Sequence, residues 1–302
     1  MADLPGIENI DNLLGPGMRL VGDAASGPII DIDRDGHRGR ISLFGGQMLS
    51  WQPAGHDPVL WLSQAAVFDR NAPIRGGIPV CWPWFGGHML HDDWPSHGFA
   101  RTTNWPYEGV AEADSRLNQL ALPIWEPNTT YWPHMSRPFM TCKVAEALGI
   151  EFNNVNIDPY PIEFSQALHT CLCVGDIEAI SIHGLEDCAF IDKLSGCEEP
   201  ASNAPISIST ETDRIYRQPQ GPIELRDPVL KRVVTIEHAG ATSAIVWNPW
   251  IEKSARLDDM GPPDAYRGMV CIETGNVGPD PVRLNPGESH TLKTMISVRK
   301  DP

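Results

Sequence analysis

The sequence has no run of about 18 uncharged apolar residues, and its first 25 residues lack a positive segment followed by an apolar one. A helical membrane span and a secretory leader are therefore not expected. Positive charge is scarce, with 23 Lys and Arg against 39 Asp and Glu and a net charge of -16. Such a balance repels nucleic-acid phosphates and anionic membrane surfaces, and no basic run offsets it. Neither nucleic acid nor membrane is expected as a partner, and an anionic ligand has to be caught by a local group of arginines. The 7 cysteines are odd in number and form no regular framework. Cys171 and Cys173 stand too close along one strand to bridge easily, which fits a reducing compartment, the cytoplasm. No C-x-x-C pair occurs, so structural zinc is not expected. Nucleotide-binding glycine loops and a G-x-S-x-G elbow are missing too, as are internal repeats and low-complexity segments.

What the chain has in quantity is turn residues. Its 27 glycines and 28 prolines are spread along the whole length, which suits many short strands and disfavours long helices. Strand-like runs recur at Pro28–Ile32, Arg40–Phe44, Pro58–Leu62, Phe164–Val174, Ala179–Ile182, Val233–Glu237, Ser243–Trp247, Met269–Thr274 and Thr291–Val298. This is an all-β rhythm. The one helix-leaning stretch, Val144–Leu148, is too short to alter it, and Pro106 to Pro161 is left without defined strands. Asn285-Pro286-Gly287-Glu288 predicts a type II turn before the last strand. One domain over residues 1–302 is expected, with about 1–25 as an N-terminal extension or edge segment.

Three places carry chemistry. Arg75-Gly76-Gly77-Ile-Pro79 leads into Trp82-Pro83-Trp84-Phe85-Gly86, and His97-Gly98-Phe99-Ala100-Arg101 follows. Guanidinium groups in glycine-flanked loops can grip a phosphate, and tryptophan faces can cover the apolar side of a sugar ring. The same residues also make an ordinary turn, an aromatic core and solvated arginines. Strand alternation puts His169 on one face with Ala167, Cys171 and Cys173. An imidazole there is a candidate acid or base, or a hydrogen-bonded core residue. Glu273 ends an apolar run just before a glycine, as a carboxylate of raised pKa or as an ordinary strand-end group paired with arginine or solvent. The cluster His88, His91, Asp92, Asp93 and His97 matches no standard zinc spacing, so no metal is assigned to it.

Taken in order, Arg75-Gly-Gly-Ile-Pro with Trp-Pro-Trp-Phe-Gly, His97-Gly-Phe-Ala-Arg101, Ala167-Leu-His169-Thr, Thr212-Asp213-Arg-Ile-Tyr, Val246-Trp-Asn-Pro and Cys271-Ile-Glu273-Thr resemble the glucose-6-phosphate 1-epimerase family. These are hexose-6-phosphate mutarotases related to the aldose 1-epimerases. The likeness runs from about Phe44 to the C-terminus and is weakest between Tyr107 and Glu163. It implies a large antiparallel β-sandwich of the galactose mutarotase-like kind, with a sugar site on one concave sheet face. It also implies that His169 and Glu273 are catalytic and that Arg75, His97, Arg101 and Asp213 bind substrate, the two arginines at the 6-phosphate. Ser96 stands where some members have glutamine, and Trp82, Trp84 or Trp247 is expected to stack on the ring. No cofactor is implied, the partner is a small sugar phosphate, and a monomer is expected. Two rival readings remain: a non-catalytic sugar-binding or regulatory protein, and an epimerase of unphosphorylated aldoses. Both His169 and Glu273 argue for an enzyme, and the arginines for a phosphorylated substrate.

Overall fold

The computed structural model describes residues 10–110, 117–121 and 130–301, so the first nine residues of the expected extension lie outside the described residues. A short helix, Ile10–Leu13, precedes Met18–Val21, the edge of a four-stranded sheet continued by Ile29–Arg34, His37–Ser42 and Gln47–Gln52. Two eight-stranded sheets carry most of the rest. The first runs Cys197–Glu199, Phe190–Asp192, Thr212–Arg217, Ser243–Asn248, Met269–Asn276, Gln166–Leu168 and Val80–Cys81, with Cys171–Cys173 also paired to Met269–Asn276. The second runs Ser181–His183, Ile223–Asp227, Arg232–Ala239, Ser289–Lys300, Leu148–Asn156, Ser136–Val144, Leu117–Ala121 and Tyr107–Val110. Pairing between strands is antiparallel in both.

The two sheets face each other across one core. Val270 and Ile272 from the first share it with Phe152, Leu292 and Ile296 from the second, and the Thr274 and Thr294 hydroxyls hydrogen-bond across the gap. Every residue of Met269–Asn276 is buried, because that strand has the core on one face and a second covered surface on the other. This accounts for an apolar run without polar alternation. A smaller cluster of Cys81, Ala167, Ile215, Ile245 and Val277 belongs to the second surface.

Four of the nine sequence-read strands lie wholly within observed ones, Pro28–Ile32, Arg40–Phe44 and Ala179–Ile182 overlap observed strands in part, and Gly287, at φ 82, makes the turn before the last strand. Two strands and the helix-leaning stretch differ. Pro58–Leu62 is extended but joins no sheet, since Val59 N–H donates to Trp51 O and Trp61 N–H to Cys171 O, stitching two sheets together. Phe164–Val174 breaks into pieces around His169 and Thr170: the His169 N–H turns to Pro79 O and the Thr170 N–H to Leu168 O. Val144–Leu148 is no helix but a hairpin turn, with Val144 and Leu148 as register partners and both buried. That hairpin lies in the stretch left undefined above, although its strands alternate buried and less buried residues in the ordinary period of two.

Gly98 shows how tightly the loops are tied to the sheet. At φ +72, a Cβ built on it would stand 2.0 Å from Trp82 O, which also accepts from the Phe99 and Ala100 N–H groups. Gly98→Ala therefore meets both a strained backbone and a fixed carbonyl, and it is expected to cost at least ~2 kcal/mol in urea unfolding. An unchanged midpoint would show that the loop has room to relax.

Candidate active site

The register of Gln166–Leu168 and of Cys171–Cys173 against Met269–Asn276 is continuous, so His169 stands directly opposite Glu273. Their side chains share the sheet face away from the main core. His169 Nε2 lies 3.3 Å from Glu273 Oε1, an ion-pair contact longer than a tight charge-assisted hydrogen bond. Glu273 is 1% exposed, and its other oxygen, Oε2, is buried without a partner. The sequence placed this carboxylate at a half-buried strand end before an opening loop. It is in fact mid-strand, and Gly275 serves close packing: a Cβ there would stand 2.6 Å from Gln166 O.

Burial pushes the Glu273 carboxyl up to about 7, against the pull of the His169 imidazole. Burial by itself lowers His169, but the Glu273 carboxylate and the Cys171 sulfur outweigh it and the net direction is up. Both groups thus hold protons in the folded chain that they release earlier in the unfolded one. For Glu273, stability is fully present below the ordinary 4.5 and is lost as pH rises through about 7. Raised His169 acts in the same direction above its ordinary 6.5. Melting temperature between about pH 5 and 8 is accordingly expected to fall more steeply for the native protein than for Glu273→Gln. Parallel curves would remove this account of the pair.

Next to the pair on the same face, Trp247 and Asp213 are register partners on neighbouring strands. The Trp247 ring centroid lies 6.2 Å from that of His169. Asp213 meets Lys193 Nζ at 3.4 Å, and Lys193 also lies over the Phe85 ring. His97 reaches the site from a loop residue at φ 64, its ring 5.9 Å from His169. Its Nδ1 accepts from Gly86 N–H, so the neutral ring carries its proton on Nε2. Burial, then the nearby charges of Arg101, His169, Lys193 and Arg75, hold this imidazole well below the ordinary histidine value.

The two arginines differ. Arg75 Nε donates to Asp259 Oδ2 at 3.0 Å, and the Arg75 backbone is gripped by Gln47, whose amide donates to Ile74 O and Gly76 O. Arg101, in the turn Ala100–Thr102, donates from Nη2 to Ser96 O at 2.6 Å, while its Nε is buried without a partner. Among the described residues no carboxylate pairs with it, and burial pulls its guanidinium below the usual range. Ser96 thus contributes its carbonyl, and its side chain is exposed.

Trp82 has to be corrected as a stacking residue. Its neighbour Cys81 takes the site face through pairing with Ala167, and Trp82, fully buried, points into the core against Phe99, Trp132 and Phe164. No sugar can reach it. Trp84 packs with Trp94 and Tyr131, and His91 stacks on Trp94 at 4.1 Å with His88 beside them, so these two histidines of the cluster belong to an aromatic stack in the loop, whereas His97 reaches the site. Lys193 and Asp259 were missed by sequence reasoning, because each sits in a polar loop without any motif. Cys171 and Cys271 have no sequence pattern that pairs them. They face each other across the strand pair, with sulfurs 3.0 Å apart and Cys171 Sγ 3.7 Å from His169 Nδ1. A hydrogen bond from Cys271 holds the Cys171 thiol well below the ordinary range, whereas burial pushes Cys271 up.

The two-sheet antiparallel sandwich, with a buried carboxylate–imidazole pair on one sheet face, has the fold of mutarotase-like proteins. The fold is shared with a galactose mutarotase related enzyme from Lactobacillus acidophilus, at a TM-score of 0.70 and 15% identity over 89% of this chain and 97% of that one. A family model for aldose 1-epimerase matches residues 28–297, and the chain belongs to the aldose 1-epimerase family. It is 35% identical, over 82% of both chains, to an Escherichia coli (strain K12) protein named "Putative glucose-6-phosphate 1-epimerase". A Salmonella typhimurium structure described as "a putative mutarotase" superposes with a TM-score of 0.86 at 30% identity, covering 97% of this chain and 99% of that one. Among the described residues no helix is long and apolar enough to cross a membrane.

Proposed function

We propose that the protein is a hexose-6-phosphate mutarotase that interconverts the α and β anomers of glucose 6-phosphate or a close relative. One observation carries the reading: among the described residues, Glu273 Oε2 and Arg101 Nε are both buried in the site without partners, an acceptor beside His169 and a cationic donor beyond it. Buried polar groups of this kind are costly unless a ligand completes them. A sugar hydroxyl completes the carboxylate and a phosphate completes the guanidinium. The family and the names of its relatives support the same class of substrate.

In this mechanism Glu273 takes the proton of the anomeric hydroxyl while protonated His169 donates to the ring oxygen, and the C1–ring oxygen bond breaks to give the open aldehyde. Rotation about C1–C2 turns the other carbonyl face to the ring hydroxyl. Reclosure with the two groups in reversed roles gives the other anomer. Neutral His97 offers an N–H donor, Asp213 orients hydroxyls, Trp247 covers the apolar ring face, and Arg101 with Arg75 holds the phosphate so that the ring stays in register. The proposal includes a single-domain cytoplasmic monomer with no nucleic-acid or membrane partner. Magnetisation-exchange NMR on equilibrated glucose 6-phosphate tests it: catalytic amounts of protein are expected to raise the α-to-β exchange rate by orders of magnitude, and an unchanged spontaneous rate with broadened phosphate-sugar signals would identify a binder instead.

A further inference from the structure

We propose that His169, Cys171 and Cys271 form a binding site for a thiophilic divalent cation of the zinc class on the sugar-facing side of the sheet. The sequence has no zinc spacing here, but folding brings residues a hundred positions apart together: a ring nitrogen of His169 and the two sulfurs all lie within 4.8 Å of one another. Cys171 Sγ is 3.0 Å from Cys271 Sγ and 3.7 Å from His169 Nδ1. Zinc stands about 2.3 Å from sulfur and about 2.0 Å from nitrogen, so tetrahedral ligand atoms are roughly 3.5–3.8 Å apart. The His169–Cys171 spacing already fits, and the sulfurs need to part by less than ~1 Å to admit the ion. The backbone supplies the rest, because the two cysteines are register partners on paired strands.

The donor set selects the metal. Two thiolates and an imidazole favour zinc over the oxygen-seeking calcium and magnesium. The two thiolate charges cancel that of the cation, which keeps the assembly neutral in a dry place, and the Arg75 guanidinium is already paired with Asp259. His169 has its Nδ1 toward the sulfurs and its Nε2 toward Glu273, the carboxylate–histidine–metal relay that orients imidazole ligands. His169, 15% accessible at its side chain, is the most exposed of the three ligands. A cation there fixes His169 as its Nε2–H form and ends its proton transfer. Zinc is thus an inhibitor of anomer exchange, a consequence that rests on the mutarotase reading.

The reduced protein is to be titrated with Co²⁺ and then Zn²⁺. A sulfur-to-cobalt charge-transfer band with tetrahedral ligand-field bands, saturating at one ion per chain and lost on adding Zn²⁺, is expected. Cys171→Ser and Cys271→Ser should each weaken Zn²⁺ binding by ~100-fold or more, with about 10–100-fold for Glu273→Gln, whereas Cys197→Ser at an exposed position leaves it unchanged. A missing charge-transfer band, or one that survives in both serine variants, overturns the proposal. X-ray absorption at the zinc edge needs no variant: two sulfurs and a nitrogen support the site, and a shell of nitrogen and oxygen alone refutes it. Anomer exchange is read separately, so a protein inactive without zinc counts against the mutarotase reading while the spectra still decide the metal site.

Discussion

Glu273→Gln is expected to lower the anomer-exchange rate on glucose 6-phosphate by ~10²–10⁴-fold, the usual contribution of a positioned acid or base. Two losses combine in this one substitution. The amide cannot take the anomeric proton, and it no longer attracts charge to His169, whose raised proton affinity depends on the carboxylate 3.3 Å away. Burial then lowers the imidazole against the Cys171 sulfur without the carboxylate's help, so the acid weakens with the base. The variant keeps the size and shape of the buried side chain, so folding is expected to survive. The acid limb of the native kcat/KM profile should fall near pH 7, where Glu273 takes up its proton, and it should vanish in the variant. Magnetisation-exchange NMR across pH reads both effects. A variant within twofold of the native rate would place the base elsewhere.

Arg101→Ala is expected to reduce kcat/KM for glucose 6-phosphate by roughly 10²-fold or more, since each hydrogen bond to a charged group contributes about 1.5–3 kcal/mol. Turnover of unphosphorylated glucose should change little. The asymmetry follows from the guanidinium's situation. Among the described residues it has one acceptor, Ser96 O, which in the variant can turn to water because Ser96 is exposed, and its Nε has none. Arg101→Lys should fall between the two, retaining charge but losing the planar fork. Circular dichroism checks the fold, and assay of both sugars under one condition gives the comparison. Equal losses on the two substrates would remove the phosphate from the site and favour an aldose without one.

The metal proposal and these two results are coupled through His169 but are read by different instruments. If the cobalt spectrum appears, the histidine has two competing occupations, proton transfer through Nε2 and cation binding through Nδ1. Zinc and sugar phosphate would then oppose each other's effects.

Residue order in the sequence was enough for an all-β fold, because turn residues and short apolar runs are local signals. The same order supported His169, Glu273, Arg75, Arg101 and Asp213 as candidates, because their motifs are local too. It set Glu273 at the end of an apolar run, whereas the strand continues past it to Asn276. The sequence was silent or misleading wherever distant segments decide. Trp82 reads as a sugar platform, yet the pairing of Cys81 with Ala167 turns the tryptophan into the core. Cys171 and Cys271 give no spacing pattern, yet the register of two strands sets their sulfurs side by side. Lys193 and Asp259 lie in unremarkable loops and become site residues only through their contacts with Asp213 and Arg75. The physical reason is that β-structure is made of long-range pairs: alternation says which residues share a face of one strand, while the neighbouring strand, its register and what covers that face are fixed by tertiary packing.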